Sequence, residues 1–162
     1  MRQRINSIAA LSRALDFASR PRAVCIEWVS PLMTAGNWTP ELIELAGGQS
    51  GLARPGQHSP YVTWQEIVKF DPQVLFIAPC GFDLERSEHE ARVLTTLPGW
   101  SDVAAVQANR VFVLDGNALL NRSGPRIVDS LELLAYLLQP TSFRAPGGFL
   151  AEGMAWNLFP SR

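Results

Sequence analysis

The sequence predicts an α/β fold built on a mainly parallel sheet, and two observations carry the prediction. Three short apolar runs, Val24-Cys25-Ile26, residues 74–78 and residues 111–114, are bounded by glycine, proline and polar residues and read as buried strands. The segments between them carry helical periodicity, so the strands run in one direction and their carboxyl ends share one edge. Each run stops at a cluster of reactive or recognition-type residues: Glu27-Trp28, Pro79-Cys80-Gly81-Phe82-Asp83 and Asp115-Gly116-Asn117. In open α/β sheets ligands sit at that edge.

Taken in order, residues 3–19 read as an amphipathic helix with Ile5, Ile8, Leu11 and Leu15 on one face, stopped by Arg20-Pro21-Arg22. After the first strand, residues 30–38 read as a long loop rich in Gly and Pro. Thr39 is placed to cap a helix with Pro40 at its first position, and Gly47-Gly48 ends it. Residues 49–62 read as a surface excursion. Thr63-Trp64-Gln65-Glu66 matches a capping box, and Asp71-Pro72 closes that short helix before the second strand. Asp83 is placed to cap a helix over residues 84–96, with a further short helical segment near 101–106. A final helix over 125–138 follows the third strand, and residues 141–162 form an irregular tail.

With 162 residues and 47% hydrophobic composition, the chain has ample material for one core. Fourteen basic residues balance 15 acidic ones, with arginines scattered, so no electrostatic footprint for nucleic acid is visible. The longest apolar stretch falls short of a membrane span. Met1-Arg2-Gln3-Arg4 superficially suggests a signal peptide, but Arg13 and Asp16 interrupt the region that would have to be apolar, so the sequence reads as carrying none. Cys25 and Cys80 are expected as free thiols, since neighbouring parallel strands seldom offer disulfide geometry. They and His58 and His89 lack metal-ligand spacing.

The strand-end clusters suggest ligand contact. Trp28, Trp38 and Phe82 can stack on a planar or apolar ligand face. The turn through Gly81 exposes backbone N–H groups near Cys80 to carbonyl or anionic groups. Asn117 and Asn121 suit amide recognition, and Arg122 and Arg126, at or before a helix N-terminus, need compensating charge. The candidates are Asp129 and Asp115 or an acidic or amide-bearing ligand, and for Arg126 pairing with an acid one turn away is the favoured expectation. A catalytic alternative takes Cys80 as nucleophile with Asp83 or Glu27 as acid or base, although neither histidine has a sequence reason to lie beside it. A flavodoxin-like phosphate module ranks last, because no glycine-rich phosphate loop follows any strand.

The ordered strings Cys25-Ile26-Glu27-Trp28, Ala35-Gly36-Asn37-Trp38, Glu44-Leu45-Ala46-Gly47-Gly48, Pro79-Cys80-Gly81-Phe82-Asp83-Leu84-Glu85-Arg86, Leu97-Pro98-Gly99-Trp100, Asp115-Gly116-Asn117 and Gly124-Pro125-Arg126 resemble a known family. It is the C-terminal lobe of the vitamin B12 (cobalamin) binding proteins of ABC importers, whose two lobes are joined by one long helix; siderophore and haem binders share that fold. The resemblance implies a three-layer α/β/α sandwich forming a single Rossmann-like lobe. Residues 1–20 would be the end of the interlobe helix, 21–140 the ligand-binding lobe and 141–162 the tail. It implies binding of cobalamin or a related metal chelate, without catalysis and without a resident cofactor, by Glu27, Trp28, Trp38, Cys80, Gly81, Phe82, Asn117 and Arg122. It further implies a periplasmic or extracytoplasmic setting, to which the absent leader adds a cytoplasmic alternative. The N-terminal lobe is missing from the chain. Gln65 stands where relatives carry the acid that docks on ABC permease subunits, which puts that partner in doubt.

Overall fold

The computed structural model describes residues 1–122 and 124–160. Ser123, part of the third strand-end cluster, and the final two residues of the tail lie outside the described residues. The elements are α1 (Arg2–Ala14), β1 (Arg22–Val29), β2 (Leu32–Thr34), α2 (Thr39–Leu45), β3 (Gln49–Ser50), α3 (Trp64–Phe70), β4 (Val74–Ile77), α4 (Leu84–Ala91), α5 (Ala104–Gln107), β5 (Val111–Leu114), α6 (Ile127–Leu138) and β6 (Trp156–Leu158). Short 3₁₀ turns follow α1, follow α4 and precede α5.

The sheet runs β2-β1-β4-β5-β6, with β3 also paired to the start of β1. The pairs β1–β3, β1–β4 and β4–β5 are parallel, whereas β2 and β6 add antiparallel strands at the two sides. Strand periodicity divides the core. Ala23, Cys25, Val74, Phe76, Phe112 and Leu114 pack with α1, α2 and α6 on one face. Val24, Ile26, Leu75, Ile77, Val111 and Val113 pack with α3, α4 and α5 on the other. This is the three-layer sandwich that the three apolar runs and the resemblance imply.

Local signals hold at two helix starts. Thr63 and Glu66 form the full capping box of α3, and the Asp83 carboxylate accepts from the Arg86 N–H to cap α4. Hydrogen bonding to the Thr63 N–H and hydroxyl holds the Glu66 carboxyl below its ordinary range. Both cysteines are free, and burial pushes the Cys25 thiol upward.

Several expectations are corrected. The opening helix ends at Ala14, and Leu11 is 53% exposed: Ile8, Ala9 and Ser12 form the buried face instead. Residues 30–38 are not all loop, because β1 turns back through a cis Ser30–Pro31 bond into β2, with a bulge between Ile26 and Trp28. Trp38, not Thr39, occupies the cap position of α2, with no side-chain cap bond. The excursion 49–62 contains β3 at its start and a bridge from Tyr61 to Met33 at its end. The helix after Asp83 stays α-helical only to Ala91 and tightens to 3₁₀ through Thr96. The tail carries β6 on β5, where Leu150, Ala155, Trp156 and Phe159 are buried, so aromatic burial organises it despite its weak periodicity.

Candidate functional site

The three strand ends meet. In the last part of β1 the Glu27 carbonyl accepts from the Cys80 N–H at 3.1 Å, and the Ala78 N–H donates to the Ile26 carbonyl at 2.8 Å, so parallel pairing continues past the end of β4. Beyond β5, the Asn117 N–H donates to the Phe82 carbonyl at 2.9 Å. Gly116 lies against the backbone of Ala78 and Pro79, where any side chain would collide. Asn121 completes the seam, its amide nitrogen donating to the Ala78 carbonyl at 2.8 Å and to the Gly116 carbonyl at 3.1 Å. Asn121, expected as a recognition residue, is thus spent on holding two strand ends together.

On this frame Trp28 and Phe82 form a tilted ring pair with centroids 5.2 Å apart. The Trp28 indole N–H is satisfied locally by the Ser30 carbonyl at 3.0 Å. Arg86 places its guanidinium 3.7 Å from the Phe82 ring centroid, a cation–π contact absent from the sequence reading. The four-residue spacing from Phe82 to Arg86 across a helix start is the signal that could have found it. Arg122 donates to the Asn117 side-chain oxygen at 2.5 Å. Gly81, at φ +79°, takes the left-handed turn that lets the chain leave β4 for α4, but the Cys80 and Phe82 N–H groups expected to face a ligand there are instead taken by the Glu27 and Pro79 carbonyls.

Of the expected site residues, Glu27, Trp28, Phe82 and Asn117 are half-buried along this rim, and Cys80, Gly81 and Arg122 are exposed on it. Among the described residues the Glu27 carboxylate has no hydrogen bond or ion pair. Trp38 stands apart from the ring pair: it packs on the core face shared by α2 and α6, and its indole N–H donates to the Leu120 carbonyl at 2.7 Å, tying the α2 entry to the third loop. A groove of about 400 Å³ lined by Asp83, Glu85, Arg86, His89 and Glu90 runs along α4 beside the rim.

The expected partner of Arg126 is corrected as well. Asp129 and Glu132 both bind Arg4 of α1, at 2.6 Å each, and this pairing raises the Arg4 pKa. Asp115 accepts from the Ala118 N–H. Arg126 instead lies 5.3 Å from the Phe149 ring centroid. No group of three His, Cys, Asp or Glu side chains among the described residues could hold a metal ion. No described helix is long and apolar enough to cross a membrane.

A three-layer lobe whose strand ends are stitched into an aromatic and polar rim has the architecture of an α/β binding lobe. Residues 4–118 match the Periplasmic binding protein family, and the chain belongs to that family. It is 31% identical over 83 residues to the uncharacterized ABC transporter substrate-binding lipoprotein YvrC of Bacillus subtilis (strain 168), a match covering 51% of this chain and 24% of that protein. Its fold is similar to an ABC transporter substrate-binding protein from Listeria monocytogenes EGD-e, with TM-score 0.73 and 16% identity over 86% of this chain and 54% of the other. The periplasmic vitamin B12 binding protein BtuF of Vibrio cholerae aligns at TM-score 0.63 and 22% identity, over 86% and 51%. A periplasmic heme binding protein from Pseudomonas aeruginosa aligns at 0.67 and 21%, over 87% and 51%. The chain therefore spans about a quarter of the curated relative and about half of these solved structures.

Proposed function

We propose that this chain is the C-terminal, ligand-binding lobe of an ABC importer substrate-binding protein for cobalamin or a related metal chelate, working by binding and release without chemistry. The observation that carries the reading is the Trp28–Phe82 pair at the carboxyl edge, locked to the third strand end through the Asn117 N–H and the Phe82 carbonyl. A large disc fringed with amides calls for apolar stacking together with neutral and cationic donors. The rim offers both: Trp28 and Phe82 as the stacking surface, Asn117 and Arg122 as donors, and the Cys80–Gly81 backbone as a close-approach edge. In this reading Trp38 supports the loop that carries Asn117 and Arg122, and Glu27 borders the site. Residues 1–20 are the end of the interlobe helix, and the setting is periplasmic or extracytoplasmic. Gln65 offers no acid for docking on permease subunits, and the neighbouring Glu66 is engaged with Thr63, so permease docking is not part of this reading.

The alternative, a small α/β enzyme with Cys80 as nucleophile, draws on the exposed free thiol. It leaves the ring pair unused; of its two candidate acids or bases Asp83 is occupied as a helix cap, and the Glu27 carboxylate makes no hydrogen bond to the Cys80 thiol among the described residues. The binding reading uses more of the rim.

The test is a titration of the 162-residue chain with cyanocobalamin and with ferric protoporphyrin, following the fluorescence of its five tryptophans. Saturable quenching is expected, with Trp28→Ala weakening affinity by about 0.5–1.5 kcal/mol, the worth of one aromatic stacking contact. Absence of quenching by either probe up to submillimolar concentration, with the chain folded by circular dichroism, refutes the reading.

A further inference from the structure

Resting on that reading, we infer that the stacking surface extends beyond the ring pair through Met33 to Tyr61, and that the site is shaped for a planar macrocycle lying flat. The register carries the inference. Trp28 pairs with Met33 across the β1–β2 hairpin, and Met33 pairs with Tyr61 across an antiparallel bridge. Directly opposed residues of antiparallel strands share a face with their Cβ atoms about 5 Å apart. The Thr34 N–H donates to the Pro60 carbonyl at 3.2 Å and the Val62 N–H to the Leu32 carbonyl at 3.0 Å, which hold Tyr61 in that register from both sides.

The neighbours fix which face it is. Val29, Leu32 and Val62, each adjacent in sequence to one member of the row, pack on the core cluster beneath α3, α4 and α5. Strand alternation sends Trp28, Met33 and Tyr61 to the opposite face. None of the three belongs to the core on that side, so the row overhangs the packed part of the sheet. Phe82 continues it on the other side of Trp28. The result is a strip of four side chains, Phe82–Trp28–Met33–Tyr61, roughly 15 Å long by strand spacing. Tyr61 is 70% exposed, and its hydroxyl has no hydrogen bond among the described residues.

Charge indicates how the occupant lies. The Phe82 end carries Arg86 and Arg122, with Arg86 paired to Glu90 at 3.9 Å and Asp83 and Glu85 beside it along α4. Met33 and Tyr61 supply no charge at the far end. A flat chelate with its hydrogen-bonding substituents at the charged Phe82 end and its apolar face over Met33 and Tyr61 matches this arrangement. A compact octahedral chelate would touch only part of the strip.

The experiment compares the 162-residue chain with Tyr61→Ala, Tyr61→Phe and Trp28→Ala in titrations with cyanocobalamin, ferric protoporphyrin and a ferric trihydroxamate. Tyr61→Ala is expected to weaken the planar probes about two- to tenfold, the loss of one stacking partner, while Tyr61→Phe keeps affinity within about twofold. If Trp28→Ala weakens binding and Tyr61→Ala does not, the extended platform is overturned and the proposed function stands. If the trihydroxamate binds at least as tightly and with equal dependence on Tyr61, planarity is overturned. If no probe binds the unaltered chain, both readings fall. Sedimentation showing a dimer that Tyr61→Ala dissociates assigns the strip to a second copy and overturns the inference.

Discussion

Replacing Gly116 with alanine tests the seam on which the rim depends. A methyl group there would lie 2.8 Å from the Pro79 carbonyl carbon, closer still to its oxygen, and 3.0 Å from the Ala78 carbonyl carbon. Carbon atoms in good contact sit about 3.5–4.0 Å apart, so the ends of β4 and β5 must separate by close to 1 Å. Both collision partners are backbone, so no side chain can swing away. Overpacking of this kind costs about 1–3 kcal/mol. The separation also stretches the Asn117–Phe82 bond and the Asn121–Ala78 bond, each worth about 1 kcal/mol. A total of about 3–5 kcal/mol converts to a melting temperature lower by roughly 6–20 °C for a chain of this size. The assay is thermal unfolding by circular dichroism, with Gly124→Ala as the control in the same loop. Gly124 has no atom within 4 Å of an added methyl and no left-handed φ. Its substitution is expected to be neutral or stabilising by up to about 1 kcal/mol. Unfolding of Gly116→Ala within about 2 °C of the unaltered chain would refute the argument that the strand ends are locked by close backbone approach.

Two further expectations concern protonation and thiol chemistry. The Glu66 carboxyl is depressed in the folded state, so its contribution to stability is complete above the ordinary glutamate range, about pH 4.3, and is lost as pH falls through the lower folded value. Glu66→Gln should therefore flatten the fall in denaturant midpoint between roughly pH 5 and pH 3, and identical slopes would count against the capping box as its cause. With iodoacetamide near neutral pH, Cys80 should alkylate in the native chain at the rate of an ordinary exposed thiol, while Cys25, buried and with its thiol pushed upward, should react only after unfolding. Markedly accelerated labelling of Cys80 would revive the nucleophile reading.

The parts of the fold written in local chemistry were legible. Val74–Ile77 and Val111–Leu114 are continuous apolar runs because helices cover both their faces, and a two-sided burial requirement shows in composition alone. Thr63 and Glu66, and Asp83, announce helix starts through side chains acting within one turn. What escaped depends on distant partners. Residues 32–34 become a strand because β1 offers an open edge, and Trp156–Leu158 pair with β5 because Trp156 finds Phe112, at 5.7 Å between ring centroids. Asp129 stood one turn from Arg126, yet Arg4, 125 residues away, takes it together with Glu132. At the rim, the meeting of Trp28 with Phe82 followed from parallel strand ends. The roles of Gly116 and Asn121 did not, since they arise from how closely two backbones pass.

Sheet closure by β6 has a practical meaning for anyone trimming this polypeptide. A version stopping at residue 140 would leave the N–H and C=O groups of Val111–Leu114 bare along one margin and strip Trp156 from Phe112. Unpaired apolar margins invite self-association. The shortest stretch that keeps the sheet sealed therefore reaches Phe159, whose N–H donates to Val111 and whose ring meets Trp100 on the opposite face.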